Sequence, residues 1–216
     1  MAENRGGHVR ADARRNRAAI VTAARAAVEE SGDEVSLDRI ARSAQVTPRT
    51  LFRHFPTRDE LLAAILEDYV TERVEPILWR AAADSDPHRA LATVLRECTA
   101  AFVDHPPMFE LAAGGARTGE ITSRYRGTLA DILSRAQRAG SVRADLTPDD
   151  VLCLVTMLVA SASHVGQDWP RHLALMVDGM SPRAASTPLP SAGARSAPGE
   201  HRTADELTEP TGRRRR

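Results

Sequence analysis

The stretch Ser36-Leu37-Asp38-Arg39-Ile40-Ala41-Arg42-Ser43-Ala44-Gln45-Val46-Thr47-Pro48-Arg49-Thr50-Leu51-Phe52-Arg53-His54-Phe55 decides the fold. Ser36 can cap a short helix whose apolar face is Leu37, Ile40 and Ala41. Thr47-Pro48 is an N-cap followed by a first-turn proline, the favoured order for a helix start, because the N–H that proline lacks has no helical acceptor there. Between the two helices lies a three-residue turn, Ala44 to Val46. Ala41 is small where the helices cross, and Val46 is apolar where the turn tucks inward. Leu51 and Phe55, four apart, point to a core. Arg49, Thr50 and Arg53 fall on the opposite face with His54 beside them. That face offers donors suited to phosphates and guanine edges, and the spacing is that of a helix-turn-helix whose second helix suits a major groove.

Working outward, helical punctuation recurs. Ile20, Ala23, Ala24, Ala27 and Val28 recur at helical spacing between Arg14 and Ser31, and Gly32 follows where a left-handed cap is cheapest. Thr57-Arg58-Asp59-Glu60 reads as a capping box opening a long helix, with Leu61, Leu62, Ile65, Leu66 and Tyr69 inward. That helix runs to about Trp79, with Pro76 a candidate kink. Asp86-Pro87 starts another helix, which His105-Pro106-Pro107 ends, and Gly114-Gly115 marks a loose joint. A helix from about Gly119 to Ala139 stops at Gly140. Thr147-Pro148-Asp149-Asp150 then opens a helix that is apolar nearly all round, which needs cover from several sides and so points to a subunit interface. A last helix spans about Arg171 to Met180. No segment alternates with a period of two for long enough to be a strand.

The run Ile40-Ala41 … Ala44-Gln45-Val46-Thr47 … Thr50-Leu51-Phe52-Arg53-His54-Phe55 … Thr57-Arg58-Asp59-Glu60-Leu61-Leu62 resembles the motif of the TetR family of regulators, over roughly Arg17 to Ile65. The stretch from Asp149 to Met180 looks like the C-terminal region of one TetR subgroup. The resemblance implies that Pro48, Arg49 and Thr50 approach base edges. It places Phe52, His54 and Arg58 at phosphates, with Arg53 able to serve either, and Thr47 belongs to the same DNA-facing set. Ser36 can offer a hydroxyl or a backbone amide to a phosphate at its helix start. Two positions depart from the family pattern. Phe52 lacks the hydroxyl of the usual tyrosine, which removes one phosphate hydrogen bond. Gln45 stands where glycine is usual and must accept a tight turn at some cost in strain.

Composition narrows the function classes. The 29 basic residues, all arginine, balance 29 acidic ones, so the net charge is zero and any basic face must arise from distribution. Arg10, Arg14, Arg15 and Arg17 read as an arm near DNA, and Arg213 to Arg216 as a solvated tail. Cys98 and Cys153 stand far apart in apolar helical patterns and are expected as buried free thiols. His105, His164 and His172 share no ligand spacing, and there is no HExxH, GxSxG or phosphate-cradling glycine loop. No enzyme, metal or cofactor is expected. The N-terminus has no apolar core of a secretory signal and no apolar run spans a bilayer, so a cytoplasmic protein without a membrane partner is expected.

The expected architecture is all-α: a three-helix helix-turn-helix DNA-binding domain at 10–56, an all-α regulatory and dimerisation domain at 57–182, and a disordered tail at 183–216. The helices at about 148–166 and 170–180 pair with two-fold mates in a four-helix interface, as the resemblance also implies. The leading reading is a homodimeric repressor on palindromic double-stranded DNA, released by a small-molecule effector. Trp79, Phe102, Phe109 and Tyr125 are the candidate ligand-lining residues. A regulator governed by a protein partner, and an all-α scaffold without DNA binding, stand as alternatives.

Overall fold

Caps and turn residues explain where most of the helices begin and end. The structure, a computed structural model, describes residues 3–32, 35–114 and 118–190. Helix α1 (Glu3–Ser31) closes at Gly32, whose φ of +71° is the left-handed cap expected there. Helix α2 (Leu37–Ser43) and α3 (Pro48–His54) flank the turn, in which Gln45 takes a φ of +56°. Gln45 therefore carries the strain that glycine would avoid. Helix α4 (Arg58–Tyr69) starts with the Thr57 hydroxyl accepting from the Glu60 N–H at 3.2 Å.

The expected single helix from 57 to Trp79 is instead α4, a π-helical turn at Val70–Val74, and α5 (Glu75–Ala83). A proline at 76 cannot donate to the preceding turn and its ring crowds it; the widened turn just ahead of it relieves both problems. Helix α6 (Pro87–Val103) is capped by Asp86, which accepts from the His88 and Arg89 N–H groups. Pro106-Pro107 ends nothing for long, because a new helix, α7 (Pro106–Gly114), begins on it. Helix α8 (Thr118–Arg138) precedes the Gly140 turn, and α9 (Pro148–Val165) opens with a full capping box between Thr147 and Asp150. A short 3₁₀ turn leads to α10 (Trp169–Gly179). No strand occurs among the described residues.

These helices belong to one compact unit, Met1–Ser186; Thr187–Arg216 forms a second, of which only Thr187–Pro190 are described, without a helix. From residue 191 the expected disordered tail, Arg213 to Arg216 included, lies outside the described residues. The large unit holds two apolar cores. The first gathers Ile20, Ala24 and Val28 of α1, Ile40 of α2, Leu51 of α3, Phe55, and Leu61, Ile65 and Tyr69 of α4. The second gathers Leu78 of α5, Leu91 and Leu95 of α6, Ile132 and Leu133 of α8, Val151 and Leu158 of α9, and Leu173 of α10. Met108 of α7, 0% exposed, belongs to the first core although it lies far along the chain. Cys98 is buried as expected, but Cys153 is exposed, because it sits on the outward face of α9.

Candidate nucleic-acid interface and internal cavity

Helix α3 is positioned from beneath. Leu51 and Phe55 anchor it in the first core, and Arg17 of α1 lies over the Phe55 ring at 5.1 Å. Its N-terminus is fixed by Thr47, whose hydroxyl accepts from the Thr50 N–H at 3.2 Å and lies 2.9 Å from the Thr50 hydroxyl. Both threonine hydroxyls are thus already engaged. Pro48, Arg49 and Arg53 are exposed, Thr50 is half-buried, and Phe52 is 49% exposed, an apolar ring presented to solvent. Pro48, Arg49, Phe52 and Arg53 are thus on the side of α3 turned away from Leu51 and Phe55, with Thr50 at its margin.

Three of the expected contacts stand differently. Ser36 is exposed at the start of α2, but its hydroxyl makes no capping bond; the start is held by backbone alone. Arg58 is half-buried and donates through Nη1 to the Val35 carbonyl at 3.1 Å, bracing the segment before α2 and leaving other guanidinium donors. His54 is half-buried with Nε2 turned inward and unpartnered. Burial, then the neighbouring Arg53 and Arg17 charges, holds its pKa below the ordinary histidine value. Sequence reasoning passed over Arg42, exposed in the last turn of α2, although its offset from the apolar positions Ile40 and Ala41 marked it as outward.

Several arginines of this face lack acidic partners, although Arg39 of α2 pairs with Glu30, whereas many arginines elsewhere in the large unit are paired. Arg14, Arg42, Arg49 and Arg53 have no acidic partner among the described residues. By contrast, Arg25 pairs with Asp68, Arg80 with Glu97, Arg89 with Asp84, Arg124 with Glu67, Arg126 with Asp149 and Arg143 with Asp145. A chain of zero net charge thereby keeps uncompensated cations near the helix-turn-helix.

Below the first core lies a cavity of about 210 Å³. One wall is Leu66, Val70, Val74 and Leu78, running through the π-helical turn. The others come from α6 (Val94, Cys98, Phe102), α7 (Phe109, Ala112), α8 (Ile121, Thr122, Tyr125) and α9 (Val151, Val155). Of the four aromatic residues expected to line such a space, Phe102, Phe109 and Tyr125 do so. Trp79 does not: it is 62% exposed on α5 and belongs to no part of the lining. Burial pushes the Cys98 thiol up to about 12. On the far side, α9 and α10 expose Met157 (51%) and Leu175 (61%), with Cys153, Ala160 and Ala174 also exposed.

An all-α fold with a helix-turn-helix on one core and a cavity lined by that core and a second is the architecture of a helical DNA-binding regulator. The sequence model described as bacterial regulatory proteins, tetR family, matches residues 20–65. That of the transcriptional regulator SbtR-like C-terminal domain, a TetR-type domain, matches 86–182. The chain belongs to the TetR family of transcriptional regulators. The TetR transcription regulatory protein from Mycobacterium vanbaalenii is 29% identical to it, with a TM-score of 0.55 over 80% of this chain and 99% of that one. TetR transcriptional regulator SCO0520 from Streptomyces coelicolor is 28% identical, with a TM-score of 0.55 over 77% and 98%. RolR, solved with resorcinol, shares the fold at 21% identity and a TM-score of 0.63 over 84% and 98%. No curated protein matches the chain. Among the described residues no helix is long and apolar enough to cross a membrane.

Proposed function

We propose that the chain is a repressor that binds a palindromic DNA operator as a homodimer and is released when a small-molecule effector enters the cavity. In this reading residues 10–56 are the DNA-binding domain and 57–182 the regulatory and dimerisation domain, with α4 as the connector. Pro48, Arg49 and Thr50 meet base edges. Arg53 and Arg58 meet phosphates, with the Ser36 amide; Thr47 fixes the helix start, while Phe52 and His54 pack along the DNA backbone.

One observation carries the switch: the cavity and the core beneath the helix-turn-helix share walls. Helix α7 puts Met108 into that core and Phe109 into the cavity lining, and the α4–α5 segment buries Leu61 and Ile65 in the core while lining the cavity from Leu66 to Leu78. A ligand that fits only one arrangement of these walls lowers DNA affinity by its coupling free energy. An interior without such a space would have favoured a partner-governed regulator. The exposed apolar residues of α9 and α10 support a two-fold interface, which would set two recognition helices in successive major grooves. The RolR complex with resorcinol supports a small ligand in a fold of this kind.

The test is binding to DNA upstream of the protein's own gene at several salt concentrations, with Arg49→Ala alongside. The expected result is salt-sensitive binding that beats scrambled DNA by at least tenfold, a preference reduced in the variant by about tenfold or more. No preference there, followed by an empty random-sequence selection, overturns the DNA-binding reading. Unchanged operator affinity across a screen of saturating cavity ligands overturns the effector part alone.

A further inference from the structure

We infer that the cavity takes an uncharged, mostly hydrocarbon molecule of one or two rings bearing a hydroxyl, which Thr122 and Tyr125 hold. This rests on the effector reading above and narrows it to a ligand class.

Size comes first. An apolar cavity of about 150 Å³ in another protein holds benzene, so one of about 210 Å³ has room for a substituted or fused ring. Its aliphatic and aromatic walls come from the α4–α5 segment and four further helices, which matches a hydrocarbon body. Polar groups are few, and most are spoken for. The Thr156 hydroxyl donates to the Leu152 carbonyl at 2.9 Å. The Tyr125 hydroxyl donates to Glu75 at 3.3 Å and its oxygen is approached by the Arg124 guanidinium, which leaves one of its two lone pairs for a ligand. Thr122 is the lining residue whose hydroxyl has no partner among the described residues. Tyr125 is three residues further along α8, on the same face. A ligand hydroxyl between them accepts from Thr122 and donates to Tyr125.

Charge comes second. Arg126 is the cation in the lining, and both ends of its guanidinium are held by the Asp149 carboxylate, at 2.5 and 2.8 Å. The remaining guanidinium donors of Arg126 reach a ligand carboxylate only beside the Asp149 charge, whose repulsion offsets much of what the pairing would gain. No lining residue is acidic, and the Glu75 carboxylate behind the Tyr125 hydroxyl is already engaged by it, so an ammonium group gains no direct partner in the lining. The Cys98 thiol, held protonated by its burial, gives no covalent route.

The experiment titrates the full-length protein near pH 7, by calorimetry, with 2-naphthol, naphthalene, 2-naphthoate and 2-naphthylmethylammonium, which share a ring system. The expected order is 2-naphthol first, naphthalene about tenfold weaker for want of its hydrogen bonds, and both ions weaker still. Thr122→Val keeps the side-chain shape and is expected to weaken 2-naphthol about threefold, part of the way to naphthalene because the Tyr125 bond remains, while leaving naphthalene unchanged. Phe109→Trp fills the space and is expected to weaken both. Either ion binding as tightly as 2-naphthol, no binding by any probe, or an unmoved 2-naphthol affinity in Thr122→Val overturns the proposal. Repeating the titrations with operator DNA separates the two readings. If 2-naphthol binds in the expected order without moving DNA affinity, the effector reading fails and the ligand class stands. If 2-naphthoate binds tightest and releases DNA, the class fails and the effector reading stands.

Discussion

The two cores of this chain are built from similar aliphatic residues yet distribute volume and charge in opposite ways. The N-terminal core is filled: Ile20, Leu51, Leu61, Ile65 and Met108 are buried in it, and the arginines above it, Arg42, Arg49 and Arg53, have no acidic partners among the described residues. The C-terminal core borders a cavity, which Leu66 and Val70 at the edge of the first core also line, and several arginines around it are paired, Arg80 with Glu97 and Arg126 with Asp149. On the proposed function, the contrast teaches how a neutral molecule would serve two partners. Uncompensated surface charge makes one end attractive to a polyanion, and missing interior volume makes the other receptive to an apolar guest.

The comparison can be broken most forcefully by truncation. Leu51→Ala, at a site 1% exposed in the filled core, is expected to cost about 2–5 kcal/mol of stability. Leu152→Ala removes the same atoms beside existing space and is expected to cost about 1 kcal/mol. Urea unfolding followed by circular dichroism measures both, and equal losses would mean the second core is as tightly packed as the first. A smaller effect sharpens the charge half of the comparison. Arg53→Ala is expected to lower the slope of log affinity against log salt by about one phosphate contact. Arg126→Ala, removing an already neutralised charge, is expected to leave that slope unchanged.

The smallest effect is a pH dependence confined to the N-terminal end. His54 has its pKa depressed in the folded chain, so the unfolded chain binds more protons between the two pKa values, and stability rises with pH there. The contribution is complete above the unfolded value of about 6.5 and is lost as pH falls toward the folded one. His54→Gln is expected to flatten melting temperature across that window, and an unchanged profile would remove His54 as its source.

What was legible in the chain follows the range of the forces involved. The turn between α2 and α3 could be read because its causes are local: Thr47 caps, Pro48 starts, Leu51 and Phe55 anchor, and even the strain at Gln45 follows from one missing glycine. Helix α7 was missed because Pro106-Pro107 was read as a stop, although proline suits a first turn equally well. Trp79 was misplaced for a non-local reason. A continuous α-helix returns to the same face after about 18 residues, which would set Trp79 with Leu61. The slower advance through Val70–Val74 takes it off that face and into solvent. The inward turn of His54 and the Val35 brace on Arg58 depend on tertiary neighbours that no spacing reveals.

Helix α7 also constrains how such a chain diverges. Its nine residues answer to two selective demands at once. On the proposed function, Ala113 faces the cavity and can change with the effector, Phe109 does so while its ring still packs on Phe102, and Met108 and Leu111 are held by the core beneath the helix-turn-helix. Ala112 takes part in both. If the proposed function holds, a lineage acquiring a new effector through Ala112 changes operator binding in the same mutational step, while one that substitutes Ala113 can separate the two traits.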